Sequence, residues 1–220
     1  MSEFILMLTR NDVTVSNAAE LLDQVLISDL KHIGFKDIGL PMSEMQELVD
    51  TMHANDLRVH LEVVSLSEED ELRSASVACE LGVDFLIGGT RIEQVSRVLS
   101  GTEIRYFPYI GTVVGHPGEL EGSIEDISAQ AAALEGGVDG INLLAFRHRG
   151  VDSLQLLKNV VAATSLPVIC AGDIASTQRI QEVVDAGAWA FTVGGAALDG
   201  KLTEGNIVAQ VDAALQAAKV

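Results

Sequence analysis

Three consecutive segments near the end of the chain, PVICAGDI (167–174), TQRIQEVVDAGA (177–188) and AFTVGG (190–195), carry the pattern that decides the fold. The first and third contain short apolar runs bounded by turn-forming residues, as buried strands do. The second has apolar residues at helical spacing and a glycine near its end. A strand, an amphipathic helix and another strand in this order predict two parallel strands joined by a covering helix.

The same alternation extends over the whole chain and predicts eight strands and eight helices. Eight such units in 220 residues favour one domain, residues 1–220, folded as a closed (β/α)8 barrel. An open doubly wound sheet is the alternative, but it usually has a glycine-rich turn after its first strand, and TRNDVTV (9–15) has no glycine. The predicted strands are 4–10, 32–40, 58–65, 84–90, 104–112, 139–146, 167–174 and 190–195; the predicted helices are 16–27, 43–53, 67–82, 91–99, 124–137, 152–165, 177–188 and 204–219; the longest predicted loop is 113–123.

Composition and charge limit the classes of partner. The net charge of −18 would repel nucleic acid, but backbone N–H groups at a helix N-terminus can still bind a small anion. No apolar run approaches the roughly 20 residues of a membrane span, and MSEFILMLTR (1–10) resembles a first strand, not a signal peptide. Cys79 and Cys170 are far apart and are expected to be free thiols, which predicts a cytoplasmic protein.

A phosphate site is predicted at the loops after strands seven and eight, where barrels of this kind commonly bind phosphate. These loops are AGDIAST (171–177) and GGAALDGK (194–201), and each has glycine at the end of its strand. Glycines there would let backbone N–H groups face an anion with no Cβ in the way. AALDG (196–200) has about the length of the short extra helix of such a site. The predicted phosphate-binding residues are Gly172, Asp173, Gly194, Gly195 and Ala196.

PVICAGDIAS (167–176) followed by GAWAFTVGGAALDG (187–200) resembles the last quarter of the ribulose-phosphate-binding barrels. GAWAFTVG (187–194) is similar to the same stretch of N-acylmannosamine-6-phosphate 2-epimerases. FKDIGLP (35–41) resembles the E-x-G-T-P segment of 3-hexulose-6-phosphate synthases and their decarboxylase relatives, with Asp37 at the acid position. HRGVDSL (148–154) resembles their H-x-G-x-D-x-Q segment, without the glutamine. The resemblance implies a phosphate-binding barrel enzyme of carbohydrate metabolism.

The catalytic motifs of both families are altered. The third strand of the synthases carries D-x-K-x-x-D, whereas HLEVVSLSEED (60–70) contains no lysine. The epimerases have a lysine in the third strand and a glutamate in the seventh, where this chain has Ala171. Neither parent reaction therefore carries over intact, and the resemblance implies the phosphate site alone.

Three ionisable residues at strand ends are candidates for the chemistry. If Val59, Leu61 and Val63 face the helices, His60 and Glu62 face the barrel axis, where Glu62 could act as general base. A structural ion pair with Lys36 or Arg10 is the alternative. Lys36 and Asp37 are adjacent and must point to opposite faces.

The alternation of apolar residues on either side of Lys36 and Asp37 gives conflicting predictions of which of the two side chains faces the barrel axis. Ile38 and Leu40 favour Asp37, Ile33 and Phe35 favour Lys36, and a bulge would reconcile them. With the resemblance we favour Asp37 as an inward carboxylate, and Lys36 as a Schiff-base lysine is the less favoured alternative.

Further candidates follow strands one, five and six. Arg147 and His148 are predicted to stabilise an oxyanion and to move a proton, with Arg149 as a third basic neighbour. Other polar residues near predicted strand ends are Arg10, Asp12, His116 and Asn142, while His32 and His53 are expected to be structural. Asp37 and Glu62, with Asp12, are candidate ligands of a hard divalent cation such as Mg²⁺.

These observations predict an enzyme that acts on a small phosphorylated sugar or sugar-like metabolite through an enolate or enediolate, as epimerase, isomerase, or aldolase and lyase. Two alternatives are a phosphometabolite-binding barrel without catalysis and a barrel that binds the phosphate of a flavin or similar cofactor. By analogy the class also allows a homodimer, because dimers are common among such barrels.

Overall fold

Eight parallel strands form one sheet that curves into a barrel. The computed structural model describes residues 2–65 and 67–219, so Met1, Leu66 and Val220 lie outside the described residues. The strands are β1 (Glu3–Met7), β2 (His32–Lys36), β3 (Arg58–Val63), β4 (Phe85–Gly88), β5 (Arg105–Phe107), β6 (Ile141–Leu143), β7 (Val168–Cys170) and β8 (Ala190–Val193). Their order in the sheet is β6-β7-β8-β1-β2-β3-β4-β5, and a parallel bridge between Tyr109 and Asn142 brings β5 next to β6. The predicted (β/α)8 fold is therefore confirmed.

A helix follows each strand and covers the outside of the barrel. Several begin where the sequence offers a capping side chain: Ser67 accepts the N–H of Asp70, and Asp152 accepts the N–H of Gln155. The helix that Ser67 caps ends at Gly82, which adopts the left-handed conformation that favours glycine. The helices are α1 (Ala18–Val25), α2 (Met42–Ala54), α3 (Glu68–Leu81), α4 (Ile92–Leu99), α5 (Ile124–Ala133), α6 (Ser153–Ala163), α7 (Thr177–Asp185) and α8 (Ile207–Ala217); a short helix, Gly195–Leu198, precedes α8 and a 3-10 turn, Ala145–Arg147, follows β6.

The apolar core has two layers, because alternate residues of each strand face opposite sides. One layer lies between the strands and the helices. The other fills the barrel interior, with Ile5 and Met7 of β1 packed against Ile87, Phe107 and Ile169. This packing closes the middle of the barrel, so that a ligand can enter only at an end. No helix within the described part of the chain is long and apolar enough to cross a membrane.

Two β-hairpins interrupt the simple alternation at the carboxyl ends of the strands. Hairpin A pairs Thr9–Arg10 with Val13–Thr14, and hairpin B pairs Thr112–Val114 with Glu119–Glu121. The segment 113–123, predicted as the longest loop, therefore contains strand residues at five of its eleven positions. Hairpin B forms because Val113 and Val114 pair with Leu120 and Glu119 across a turn that contains Gly115 and Gly118, so two short segments satisfy each other's backbone groups.

The opposite end of the barrel contains a buried histidine pair. His60 is fully buried, its Nε2 lies 2.9 Å from Nδ1 of His32, and its ring stacks on Phe85 at 4.3 Å between centroids. The guanidinium of Arg105 covers the ring of Phe85 from outside, at 5.2 Å from its centroid. Burial lowers the pKa of His60 well below its ordinary value of 6.5, with a further contribution from His32 and Arg105. Both histidines thus have structural contacts, and His60 lies two residues before Glu62 on β3, towards the amino ends of the strands.

Because His60 is buried with a lowered pKa, we expect the free energy of unfolding to fall in mild acid. Below about pH 6.5 the unfolded chain protonates His60 but the folded chain does not, so the free energy of unfolding falls by up to about 1.4 kcal/mol per pH unit. We expect urea denaturation between pH 7 and 5 to show a shallower decline for His60→Leu than for the wild type. Part of the decline should remain, because burial also lowers the pKa of His32. Equal slopes for the two proteins would contradict the prediction.

Candidate active site

A cavity of about 440 Å³ opens at the carboxyl ends of the strands. The chain has 14 lysines and arginines, and five of them line this cavity, although the net charge of the chain is −18. Five carboxylates line it as well, so the cavity is close to neutral within a strongly acidic protein. The charged lining residues are Arg10, Asp12, Lys36, Glu62, Glu119, Arg147, Arg149, Asp173, Asp199 and Lys201.

Lys36, and not Asp37, faces the barrel axis. Gly34 points inward, since a Cβ there would lie 2.6 Å from Sδ of Met7, and Lys36 follows it by two residues on the same face. The Lys36 side chain is almost wholly buried. Asp37 accepts a hydrogen bond from Ser74 of α3, outside the barrel, and its pKa is raised by burial. The predicted inward orientation of Asp37 is therefore wrong, because β2 ends at Lys36 and the pattern of residues 38–40 belongs to a bend.

The ammonium group of Lys36 lies between two buried carboxylates. Its Nζ is 2.6 Å from Oδ1 of Asp12 and 3.3 Å from Oε2 of Glu62. Burial alone would raise the pKa of Asp12, but the charge and hydrogen bond of Lys36 outweigh it and hold this pKa below its ordinary value. Glu62 comes from β3 next to β2, where it pairs in register with Lys36. The predicted inward orientation of Glu62 is confirmed, as is its ion pair with Lys36.

Asp12 reaches the axis because hairpin A turns sharply. Asn11 and Asp12 form its two-residue turn with φ values of 51° and 60°, as a type I′ turn requires. Thr14 fixes the hairpin to β2: its Oγ1 accepts the N–H of Lys36 at 2.8 Å and donates to the Lys36 carbonyl at 2.7 Å. The Asn-Asp pair in TRNDVTV is a turn signal that sequence reasoning could have used to place Asp12.

Tyr109 holds the second oxygen of Glu62. Its hydroxyl donates to Oε1 of Glu62 at 2.7 Å, and burial together with this carboxylate raises the pKa of the phenol well above 10.0. Gly88 makes room for the ring, because a Cβ there would lie 2.8 Å from Cε2 of Tyr109. Sequence reasoning missed Tyr109, although it lies two residues after the inward-facing Phe107.

Arg147 crosses the mouth of the barrel. A Cβ at Gly172 would lie 2.5 Å from its Nε, so the stem of the arginine occupies the space that glycine leaves. Its Nη2 is 3.7 Å from Asp12, its Nε is 3.7 Å from Asp173, and its Nη1 donates to the Gly118 carbonyl at 3.4 Å. The space beside Gly172 is therefore filled by Arg147. The sequence instead predicts that glycine at this position lets backbone N–H groups face a phosphate.

His148 and Arg149 are held by hairpin B and its flanks. Nε2 of His148 lies 2.7 Å from the Gly122 carbonyl, and its Nδ1 accepts the N–H of Gly150. Both ring nitrogens are therefore engaged in structural contacts outside the cavity lining. Arg149 forms an ion pair with Glu119 at 3.0 Å. His116 lines a smaller cavity, of about 20 Å³, on the hairpin B side of Arg147.

The loops after β7 and β8 line the other side of the cavity. All five residues predicted to bind phosphate, namely Gly172, Asp173, Gly194, Gly195 and Ala196, are among the lining residues. Gly194 packs against hairpin A, since a Cβ there would lie 2.9 Å from Oγ1 of Thr9, whereas a Cβ at Gly195 would meet nothing within 4 Å. Over residues 2–65 and 67–219, no backbone acceptor takes the N–H groups of Gly194, Gly195 or Ala196.

Two further charged residues complete this side, and sequence reasoning missed both. Asp199 forms an ion pair with Arg10 at 2.7 Å, and Nζ of Lys201 lies 3.7 Å from the same carboxylate. Arg10 also donates to the Leu198 carbonyl at 3.2 Å, at the end of the short helix. The net result is a cationic rim next to the free N–H groups of Gly195 and Ala196.

The suggested divalent-cation ligands do not converge. Asp37 lies outside the barrel, and Lys36 separates Asp12 from Glu62. Within the ranges that the structure describes, no three His, Cys, Asp or Glu side chains form a group able to hold a metal ion. Asn142 is fully buried inside the barrel, and both atoms of its amide lack a hydrogen-bond partner among the described residues.

Comparison with solved structures shows the same fold in several enzymes. N-(5'-phosphoribosyl)anthranilate isomerase from Pyrococcus furiosus superposes with a TM-score of 0.69 at 12% identity, covering 100% of this chain and 99% of that one. Orotidine 5'-phosphate decarboxylase from Pyrococcus horikoshii OT3 gives 0.68 at 14% identity, covering 99% of each chain. (S)-3-O-geranylgeranylglyceryl phosphate synthase from Thermoplasma acidophilum, in complex with sn-glycerol-1-phosphate, gives 0.67 at 14% identity, with coverage of 99% and 93%. No protein-family model matches the chain, and no curated protein matches its sequence.

Proposed function

We propose that this barrel is an enzyme that acts on a small phosphorylated sugar or sugar-like metabolite through an enolate or enediolate intermediate. The observation that carries the proposal is the contact between the Glu62 carboxylate and the Lys36 ammonium, 3.3 Å apart, inside a cavity whose other side is lined by free N–H groups. The named fold relatives act on phosphorylated compounds by their titles, which supports the same substrate class here.

The phosphate is proposed to bind next to Gly195. N–H groups that face a cavity without an acceptor suit a phosphate oxygen, and the open space beside Gly195 leaves room for it. Lys201 and Arg10 add positive charge at the same rim. A phosphate anchored here would direct the carbon skeleton towards Lys36 and Glu62 at the ends of β2 and β3.

The chemistry follows from the Glu62 and Lys36 pair. In this proposal Glu62 takes the proton from a carbon next to the carbonyl, and the electron pair of the broken C–H bond forms an enolate. Lys36 stabilises the negative oxygen of that enolate, because a buried ammonium acts strongly where water is excluded. Tyr109 fixes Oε1 of Glu62, so Oε2, which lies 3.3 Å from Nζ of Lys36, is the oxygen proposed to take the proton. Return of the proton from Glu62 to the neighbouring carbon completes isomerisation, whereas epimerisation requires a proton delivered from water to the opposite face of the enolate.

Lys36 is proposed to act as an ammonium ion and not as a Schiff-base nucleophile. Attack on a carbonyl requires the free amine, but its nitrogen donates to Asp12 at 2.6 Å and lies 3.3 Å from Glu62. Deprotonation of Lys36 to the free amine would leave two buried carboxylates without a counter-ion, which costs several kcal/mol. Borohydride in the presence of substrate should therefore leave the mass of the protein unchanged.

Proton exchange tests the proposed reaction directly. The purified protein would be incubated in D₂O with aldose and ketose phosphates, with and without Mg²⁺, and followed by proton NMR. Loss of one carbon-bound proton signal would support the proposal and identify the reacting carbon. Binding without exchange would contradict catalysis. If no phosphorylated compound bound at all, the proposed phosphate site would be wrong.

A binding role without catalysis is the second candidate, because both oxygens of Glu62 already have partners. Oε1 accepts from Tyr109, and Oε2 faces Lys36. A carboxylate held in this way can be a structural support for a sensor of phosphorylated metabolites. The two roles differ in one measurement: an enzyme exchanges a carbon-bound proton of its ligand and loses this exchange in Glu62→Gln, whereas a sensor binds the ligand without exchange in both the wild type and the variant.

Replacing Gly195 by alanine should weaken phosphate binding without destabilising the protein. A new Cβ meets nothing in the free protein, and alanine is a better helix former than glycine by about 0.5–1 kcal/mol. The methyl group would, however, occupy the space proposed for the phosphate. We expect the Kd for inorganic phosphate to rise about tenfold by calorimetry, as loss of a charge-assisted hydrogen bond predicts.

Gly137→Ala is the matched control, since it lies between α5 and β6 and its Cβ would have only ordinary contact, at 3.5 Å from the Leu134 carbonyl. The control should bind phosphate as the wild type does. Unchanged phosphate affinity in Gly195→Ala would place the phosphate elsewhere.

A further inference from the structure

The cations of the cavity differ in how completely they are neutralised. Arg10, Lys36 and Arg149 each have a carboxylate oxygen within 3.0 Å. Arg147 and Lys201 do not: their nearest carboxylate oxygens in the described residues lie at 3.7 Å. This distance is beyond a hydrogen bond, so these two cations keep donors available for a ligand. They belong to different regions of the cavity, Lys201 at the rim near Gly195 and Arg147 near the Lys36 pair.

The guanidinium of Arg147 extends from Gly172 across the cavity to Asp12 and the Gly118 carbonyl. Its stem and Nε rest against Gly172, while its terminal nitrogens lie towards Asp12 and the Gly118 carbonyl. Arg147 has five N–H donors. Among the described residues they make one hydrogen bond, a long one of 3.4 Å to the Gly118 carbonyl. The guanidinium is also partly exposed to the cavity, with 22% of its side chain accessible. An anionic group of the ligand can therefore reach its terminal edge.

We propose that the substrate carries a carboxylate in addition to its phosphate, and that Arg147 binds this carboxylate beside the Lys36 and Glu62 pair. The inference rests on the proposed function and specifies its substrate class: a phosphorylated hydroxy or oxo acid. Lys201 and the N–H groups near Gly195 hold the phosphate, and Arg147 holds the opposite end of the molecule. Two cations that have no carboxylate within hydrogen-bond distance among the described residues, at two positions, match two anionic groups on one ligand.

A carboxylate fits Arg147 better than a second phosphate does. The guanidinium presents a planar pair of donors that matches the two oxygens of a carboxylate. Asp12 and Glu62 are close to this position, and Asp173 faces Nε of the arginine. Lys36 offsets part of this negative charge, but a phosphate dianion would be repelled more strongly than a singly charged carboxylate.

Calorimetric titration with three-carbon ligands of equal size tests the proposal. 3-Phosphoglycerate and sn-glycerol 3-phosphate differ in one group, a carboxylate against a hydroxymethyl. We expect the wild type to bind 3-phosphoglycerate at least about tenfold more tightly, as a charge-assisted bidentate pair predicts. Arg147→Met, which keeps the stem against Gly172, should reduce this preference to about onefold and leave the Kd for sn-glycerol 3-phosphate unchanged. Arg97→Met, on the exposed surface of α4, should keep the full preference.

The outcomes separate this inference from the proposed function. Equal affinity of the wild type for the two ligands would overturn the carboxylate assignment and leave the phosphate site intact, whatever the stability of the variant. A similar loss of affinity for both ligands in Arg147→Met would make the arginine a phosphate ligand, and this result would also overturn the carboxylate assignment. Tighter binding of glycerol 1,3-bisphosphate than of 3-phosphoglycerate would assign the position to a second phosphate. If neither of the two monophosphates nor inorganic phosphate bound, the proposed function itself would fail.

Discussion

Replacing Glu62 by glutamine should lower the rate of proton exchange about a thousandfold, within the range that loss of a general base usually costs. Glutamine has nearly the same shape and can still accept a hydrogen bond from the Tyr109 hydroxyl. Its amide cannot take a proton from carbon, so kcat should fall while ligand affinity stays within a few fold. Deuterium exchange followed by NMR, with calorimetry for binding, gives both quantities.

Asp37→Asn provides a matched control for this substitution. Asp37 is the other carboxylate that the sequence suggested as base, but it faces α3 and accepts a hydrogen bond from Ser74. We expect the exchange rate of Asp37→Asn to equal that of the wild type, with a change in stability of about 1 kcal/mol from the altered hydrogen bond. Slow proton exchange in Asp37→Asn together with wild-type exchange in Glu62→Gln would make Asp37, and not Glu62, the general base.

Replacing Lys36 by methionine should affect both activity and stability. Methionine has a similar length but no charge, so the enolate would lose its stabilising cation and the rate should fall about a hundred- to a thousandfold. Asp12 and Glu62 would remain buried without their shared counter-ion, and breaking a buried ion pair costs about 3–5 kcal/mol. Denaturant titration at pH 7 would measure the loss of stability, and Lys31→Met, on an exposed neighbour, should show almost none.

The loss of stability in Lys36→Met should depend on pH in a definite direction. Lys36 holds the pKa of Asp12 below 3.8 despite its burial, so this ion pair stabilises the fold above that pH and its contribution disappears as pH falls. Without Lys36, burial raises the pKa of Asp12, so Asp12 takes up a proton at a higher pH in the variant than in the wild type. The difference in stability between wild type and variant should therefore shrink as pH falls towards 4. Adding Asp12→Asn to Lys36→Met should recover part of the stability at pH 7, because one unpaired carboxylate is removed. A variant as stable as the wild type at pH 7 would show that the ion pair contributes nothing.

The sequence by itself determined the architecture and the end of the barrel that carries the cavity. Alternation between strand and helix patterns is local, and eight repeats of it leave few parallel arrangements, so the (β/α)8 fold could be predicted. The inward position of Glu62 also followed from local alternation, because Val59, Leu61 and Val63 are all apolar and all buried. The glycine-ended loops after β7 and β8 lie on the cavity as their positions in the chain predicted.

Only the tertiary structure decided which charged groups meet. Lys36 and Asp12 are 24 positions apart, and Tyr109 and Glu62 are 47 apart, so their contacts depend on the register of the closed sheet and on the turn of hairpin A. The pattern around residue 36 was ambiguous because β2 ends there and the bend after it no longer alternates. Gly172 is explained by Arg147, a residue of another strand end. Periodicity reports which face a side chain takes within its own strand, whereas charge pairing is set by neighbours that the chain brings together only when the barrel closes.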